Sequence, residues 1–302
     1  MKTQNSSSVR TVTAAPPKTA PRPAAARRRR RVKKRRHPMR TLFLLALLAA
    51  AVWGGLRLLD GVRAEADWAA RGIDVADGTA SAIARLAHGD SRAQAILDDP
   101  EAYPADYLEM LARNSETLDF VLGYPAHHDD APVQSLTESL DTVPLLLQWD
   151  MRWGYQPYGG STIAVSGCAP TCLAMAASYL TGDAAITPYR VAQYAANAGC
   201  YVPGQGTSWS IFSDAAPAFG ITCRQLSLDK AQIDAALDAG QPVICSMLPG
   251  DFTTEGHFIV LYSRTADGYL VRDPNSIARS EKTWTYDRLS GQIAALWACM
   301  AI

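Results

Sequence analysis

The chain has 302 residues, 48% of them hydrophobic, which suffices for one sizeable domain with appendages or for two small ones and excludes a chain too polar to bury a core. The formal charge is zero, but that average joins two unlike parts. Residues 1–40 hold 14 Lys or Arg and no Asp or Glu, whereas the remainder holds 15 basic and 29 acidic residues, so a basic arm precedes an acidic body.

The arm, residues 1–40, is rich in Pro, Ala, Ser and Thr and has no aromatic residue. Such a segment buries too little apolar surface to offset its ordering entropy, and disorder is expected. Its runs Arg27–Arg31 and Lys33–Arg36 carry the charge to bind nucleic acid, but the next segment gives them another role. Residues 41–59 are almost continuously apolar: Leu42, Phe43, Leu44, Leu45, Ala46, Leu47 and Leu48 lead on to Trp53, Leu58 and Leu59. With Arg57 snorkelling to the interface, this stretch approaches the ~20 residues of a membrane-spanning helix. Dense positive charge on its N-terminal side predicts a single-pass signal anchor with a cytoplasmic N-terminus and an extracellular body. A cleaved signal peptide is the alternative, since Ala64-Glu65-Ala66 has the small-residue pattern, but that site lies beyond the apolar run and the leader is too long. Anionic inner-leaflet lipid is the expected partner of the arm, and nucleic acid is not.

Residues 60–135 read as a helical stalk. An Ala-rich pattern runs from Asp67 to Ala87, and Pro104 precedes Tyr107, Leu108, Met110 and Leu111 at helical spacing. A short helix over Glu116–Leu122 is expected to close at Gly123 as a C-cap, with Pro125 beyond it. His127, His128, Asp129 and Asp130 are read as a solvated linker, because adjacent histidines point apart and no third metal ligand is evident. The stalk is expected to set the distance from the membrane and to pack on the domain that follows.

That domain, residues 136–302, carries the chemistry. Gln148-Trp149-Asp150, Trp153-Gly154 and Tyr158-Gly159-Gly160 precede Ser166-Gly167-Cys168-Ala169-Pro170-Thr171-Cys172. Leu173, Ala176, Ala177 and Leu180 have helical periodicity, and Pro170 suits a first turn, so Cys168 falls at a loop-to-helix junction where the helix dipole favours a thiolate. Gly167 is expected to let a substrate approach the backbone. Helices are predicted over Tyr189–Ala196, Ile211–Phe219 and Leu228–Leu237, the last two ending at Gly220 and Gly240, with Gly204–Trp209 as a loop walling the cleft. Trp284, Tyr286 and Trp297 read as core or cleft-wall residues.

Val243–Met247 reads as a buried strand, His257–Tyr262 as another, and Asp267-Gly268 as a hairpin turn returning through Tyr269–Arg272 to Asp273-Pro274. His257 thus opens one strand and Asp273 closes its neighbour at the same sheet end, about three residues out of direct pairing unless a bulge closes the gap. A thiolate nucleophile needs a His to manage its proton, an acceptor to orient that His, and donors for a developing oxyanion. Cys168, His257, Asp273 and Gln148 supply these types, with a backbone N–H near Cys168 beside Gln148. His257 is the one His after residue 128. Each has an ordinary reading as well: Cys168 as one of six cysteines that could pair in disulfides, His257 as a satisfied strand-end residue, and Asp273 as a turn cap with Asn275 as the alternative orienter.

The ordered motifs Gln148-x-Asp-x-x-Trp, Tyr158-Gly-Gly, Gly167-Cys-x-Pro-Thr-x-Leu-Ala-Met, Pro249-Gly-Asp-Phe-x-x-x-Gly-His257-Phe-Ile and Asp273-Pro resemble the peptidase-39-like domains of cysteine peptidases. These are similar to bacteriocin-processing peptidases that cut after a double glycine and, more distantly, to papain. The resemblance covers about residues 143–298, and the short helix with Glu116 and Phe120 resembles segments preceding such domains. It implies an α+β, papain-like fold with the Cys on a central helix and the His and Asp on an antiparallel sheet. It also implies Cys168 as nucleophile, His257 as base, Asp273 as orienter and Gln148 as oxyanion donor. Two positions depart from the pattern: Ala169 replaces the commoner Gly, and the stretch from Gln148 to Cys168 is longer than in the transporter-linked peptidases. No ATP-binding cassette accompanies these motifs, so leader-peptide processing is not assigned. The expectation is a membrane-anchored, monomeric cysteine peptidase acting on a peptide, a protein or cell-wall peptide, with no cofactor and no metal. Peptidoglycan amidase or transpeptidase-type acyl transfer, and a non-catalytic peptide-binding module, are the alternatives.

Overall fold

The computed structural model describes residues 38–302, so the readings placed on the basic arm through residue 37 lie outside the described residues. Two units are described separately: the chain up to Ala50, of which the first turns of helix α1 (Pro38–Ala70) are described, and Ala51–Ile302, which holds everything else. Helix α1 is long and apolar enough to cross a membrane, and its apolar side chains from Leu42 to Val62 are exposed. The Arg57 guanidinium lies 3.4 Å over the Trp53 ring one turn earlier, a cation–π contact that gives this charge a partner on its own helix.

The last turns of α1 are docked. Ser81 Oγ donates to the Gly61 carbonyl at 3.0 Å, Ser81 N donates to Glu65 at 2.7 Å, and Trp68 is buried. Four short helices follow: α2 (Thr79–Ala87), α3 (Gln94–Asp98), α4 (Ala105–Arg113) and α5 (Leu118–His127). Ile83, Ile96, Tyr107, Leu108 and Phe120 form their core, and Trp149, Tyr155 and Ala164 from the following segment complete it. Helix α5 corrects the expected stop at Gly123: it runs on through Gly123 and Pro125 to His127. Pro125 forfeits one backbone bond without ending the helix. Gly123 serves close packing, since a Cβ there would lie 2.9 Å from the Tyr155 hydroxyl and 3.0 Å from Met151.

The rest is α+β. Strands β1 (Pro157–Tyr158) and β2 (Ser161–Thr162) form a small hairpin, and α6 (Ile163–Ser166) leads through Gly167 into α7 (Cys168–Thr181). Helix α8 (Pro188–Asn197) and a second small hairpin, β3 (Tyr201–Val202) and β4 (Gly206–Thr207), come next. The predicted helix over Ile211–Phe219 is a wide π turn followed by a 3-10 turn, because Pro217 has no N–H to continue an α ladder. Then follow β5 (Ile221–Leu226), α9 (Lys230–Asp238), β6 (Val243–Met247), β7 (His257–Thr265), β8 (Gly268–Arg272), α10 (Ile277–Ser280), β9 (Thr283–Trp284), α11 (Tyr286–Ser290) and β10 (Ile293–Ala301). The large strands build one antiparallel sheet in the order β5-β10-β6-β7-β8-β9. Helix α7 covers one face through Leu173, Ala176 and Ala177 against Ile244, Phe258, Val260 and Trp297. Helix α9 covers the other, with Ile233 and Leu237 against Cys245, Ile259, Leu261 and Leu296. Cover on both faces explains why β6 is buried along its whole length rather than at alternate positions. The fold is papain-like, with the Cys-bearing helix packed on an antiparallel sheet.

The β7–β8 register contains the bulge on which the expected His–Asp pairing depended. Thr265, Arg264 and Ser263 pair with Gly268, Tyr269 and Leu270, but Leu261 pairs with Val271, so Tyr262 is an extra residue. Carried one residue past the paired Val260 and Arg272, the register sets Asp273 opposite Ile259. That is the side of the sheet that His257 shares, because side chains alternate along a strand. Without the extra residue, Asp273 would lie opposite Val260 and face the other way.

Gly154 is where the helical layer meets the turn beginning at Gln148, and a Cβ there would lie 2.6 Å from Phe120 Cε2 and 2.8 Å from the Asp150 carbonyl. Gly154→Ala is therefore expected to cost about 1–3 kcal/mol through overpacking, read as an earlier denaturant midpoint with an unchanged slope.

Candidate active site

Cys168 is the first residue of α7 and is half-buried. The first-turn N–H groups of a helix have no acceptor inside it, so they remain available at this end. Pro170, third in the helix, has no such donor to leave unpaired. The close approach at Gly167 is made from within: a Cβ there would meet the Ile163 carbonyl at 2.5 Å and Ile163 Cγ2 at 2.6 Å, so its bareness lets α6 abut α7 rather than admitting a substrate. One turn further, Cys172 is fully buried, and burial, together with the nearby Cys168, pushes its thiol well above the ordinary value.

His257 begins β7 and is buried, with Nε2 2.8 Å from Asp273 Oδ1. With Nε2 committed to the carboxylate, Nδ1 is the ring atom left for the Cys168 thiol, which lines the same cleft. Burial alone would lower the affinity of His257 for its proton. The charge and hydrogen bond of Asp273 outweigh it, Cys168 adds to them, and the imidazolium is pushed up to about 10.

Asp273 has no solvent exposure. Its Oδ1 also accepts from the Asn275 backbone N–H at 2.8 Å, its Oδ2 accepts from Arg279 Nε at 2.5 Å, and its own N–H donates to Ser280 Oγ at 2.9 Å. Burial opposes ionisation here, but His257 and Arg279 hold the carboxyl below the usual carboxylate range. Arg279 did not emerge from the sequence reading. A signal existed: Ser276 directly after Asp273-Pro274-Asn275 is an N-cap, its hydroxyl accepting from Arg279 N at 3.1 Å, and the short helix it starts presents Arg279 to the carboxylate. Asn275, the alternative orienter, takes part through its backbone, while its carbonyl accepts from Asn114 Nδ2 at 2.6 Å and Trp149 Nε1 at 3.3 Å.

Gln148 is buried, and its Nε2 donates to the Ala164 carbonyl at 2.7 Å, leaving one amide N–H free. Its backbone N–H donates to the Pro274 carbonyl at 2.7 Å, tying it to the residue after Asp273. The turn behind it is fixed by Asp150, whose carbonyl accepts from Trp153 N and Gly154 N and whose carboxylate grips Arg152. Trp153 Nε1 closes the turn on the Leu147 carbonyl at 2.8 Å.

Cys168, Gln148 and His257 line one cleft of about 490 Å³. The loop Gly204–Trp209 does not wall it: Trp209 is half-exposed, donates to Ser246 Oγ at 3.2 Å and stands edge-on to Trp297. The walls are instead Met110 and Arg113 of α4 and the loop Gly250–Gly256 before β7. Stalk residues also brace the Asp273 segment. The Glu116 carboxylate accepts from Ser276 Oγ at 2.5 Å and Ile277 N at 2.7 Å, closing the N-terminus of α10. Among the described residues, no group of three or more His, Cys, Asp or Glu side chains is placed to hold a metal ion.

The model of the Peptidase_C39 like family matches residues 140–301, just over half of the chain. Two solved structures are similar. The peptidase domain of Streptococcus ComA, described as a bi-functional ABC transporter involved in a quorum sensing pathway, is 19% identical, with 45% of this chain and 93% of that chain covered and a TM-score of 0.36. A C39-like peptidase from Bacillus anthracis is 18% identical, with 52% and 94% covered and a TM-score of 0.32. No curated protein matches the chain. On the extent of the family match, the chain belongs to the Peptidase_C39 like family.

The buried pair should govern stability against pH. His257, raised from 6.5 to about 10, contributes fully below pH 6.5, and that contribution is lost as pH rises through about 10. Asp273, lowered from 3.8, contributes fully above that value and loses it as pH falls through its folded value. The stability difference between wild type and His257→Gln is expected to be largest between pH 4 and 6.5 and to shrink toward pH 10, by denaturant titration at each pH. Asp273→Ala, which strands the buried His257 cation and leaves the half-buried Arg279 without its carboxylate, is expected to cost about 3–5 kcal/mol.

Proposed function

With membership of that family as the premise, we propose that this chain is a membrane-anchored thiol hydrolase, a cysteine peptidase acting on the extracytoplasmic side through an acyl-enzyme on Cys168. The observation that carries the reading is the buried His257–Asp273 pair beside a cysteine at the start of a helix, with Cys168 and His257 opening on one cleft. The Cys168 sulfur attacks the scissile carbonyl carbon while His257 Nδ1 holds the thiol proton. The tetrahedral oxyanion is met by the free amide N–H of Gln148 and by the backbone N–H of Cys168. His257 then protonates the leaving amine, accepts a proton from water, and directs that water onto the thioester, which frees Cys168. Asp273 stays ionised throughout and holds the ring, and Arg279 holds Asp273.

The anchoring rests on α1 and the sidedness on the basic arm before it. The cleft of about 490 Å³ between α4 and the Gly250–Gly256 loop supports a reading in which a peptide lies across Cys168.

Cys168→Ala is expected to abolish turnover with no loss of melting temperature. An iodoacetamide probe should label Cys168 in folded protein at neutral pH and leave buried Cys172 and Cys245 unlabelled. Absence of label at Cys168 would sink the proposal. Incubation with peptide libraries and with muropeptides separates peptidase from cell-wall acyl transfer. Gln148→Ala should lower kcat by about 10²–10³, as loss of one oxyanion donor does, with KM nearly unchanged.

A further inference from the structure

Two of the remaining cysteines form a site of their own. In the pairing of β10 with β5, Cys299 lies directly opposite Cys223. Ile302 N donates to the Gly220 carbonyl at 3.0 Å, which makes the Gly220–Ile302 pair a hydrogen-bonded one. Such pairs alternate along an antiparallel ladder, so Cys223–Cys299, three positions along, is a non-hydrogen-bonded pair. The Cys299 N–H agrees, since it points away from β5 and donates to the Pro242 carbonyl at 2.9 Å. In such pairs the Cα atoms approach to about 4.5 Å, within the ~4.4–6.8 Å that a disulfide spans. Directly opposed side chains share a face, here the one beneath α7, where Cys299 is buried and Cys223 sits partly exposed at the margin. Burial first, and the neighbouring Cys223 after it, push the Cys299 thiol well above its ordinary value. Cys245 faces Leu296 and Ile259 across the sheet, and Cys200 lies outside it, so neither repeats this juxtaposition.

We infer that Cys223 and Cys299 are a cross-strand dithiol that closes to a disulfide when a disulfide oxidant reaches Cys223, stapling the edge strand β5 to the C-terminal strand β10. The partly exposed Cys223, its sulfur having given its proton to water, attacks one sulfur of the oxidant and expels the other as a thiolate. The Cys299 sulfur, likewise deprotonated, then displaces the oxidant's remaining half from Cys223. Two protein thiols are oxidised, one oxidant disulfide is reduced to two thiols, and the two protein protons end on those products. Strand β5 pairs on one side only, and an edge strand is where a sheet opens first. The staple closes a long loop and constrains the unfolded chain accordingly.

The test uses the reduced full chain in detergent, incubated with oxidised glutathione, quenched with acid, alkylated with iodoacetamide and digested with trypsin without reduction. The expected product joins peptide 191–224 to peptide 289–302, two hydrogens lighter than the free pair, with fragment ions assigning the bond to Cys223 rather than Cys200. It should vanish in Cys223→Ser and in Cys299→Ser. Reduction should lower the wild-type melting temperature by roughly 5–10 °C and leave that of Cys223→Ser unmoved. Alkylated Cys223 and Cys299, a glutathione adduct on Cys223 with Cys299 free, or a bond from Cys299 to Cys172 or Cys200 would each overturn the inference. Labelling of Cys168 tests the peptidase reading separately, so the two can fail independently.

Discussion

The site depends on one buried carboxylate. Asp273 has no contact with solvent, and an ionised carboxylate in that position is costly unless every lone pair is used. Its oxygens are taken by His257, Arg279 and a backbone N–H, and these bonds in turn dictate local structure. The strand must end at Arg272, the Pro274–Ser276 segment must curl so that Asn275 N points back, and a short helix must begin at Ser276 to deliver Arg279. The Tyr262 bulge belongs to the same constraint, because it sets His257 and Asp273 on one side of the sheet.

The helical layer before the sheet is part of this arrangement. Asn114 and Glu116 hold the Asn275–Ala278 segment, and Tyr107 and Phe120 pack around Tyr155 beneath the turn that carries Gln148. Met110 and Arg113 form one wall of the cleft. The contacts of Asn114 and Glu116 with the segment after Asp273 thus join residues 160 or 161 positions apart, and truncation before residue 135 would remove the site's support as well as its wall.

The thiols sort by environment. Cys168 opens on the cleft at a helix start, whereas Cys172 and Cys245 are fully buried, which disfavours their thiolates. Cys299 is held in the same way, and its neighbour Cys223 is the point of access to that pair. Cys168 and the Cys223–Cys299 pair lie at different ends of the sheet and its covering helix.

By itself the sequence determined the elements whose signal is local. Gly167-Cys168-x-Pro before an apolar helical period marked the start of α7, His257 stood as the one histidine after residue 128, and the strands on either side of Asp267-Gly268 were legible from their apolar runs. The tertiary structure alone decided what depends on register and on distant partners. It inserted Tyr262 as the bulge, carried α5 through Gly123 because Tyr155 and Met151 need the space, and turned Trp209 onto Ser246 instead of the cleft. It also recruited Arg279 and Glu116 to the Asp273 segment and brought Cys223 opposite Cys299. The physical reason is common to all of these. Periodicity reports which face of a segment is apolar, but a one-residue slip, a missing Cβ or a long-range ion pair leaves that periodicity unchanged while deciding which side chains meet.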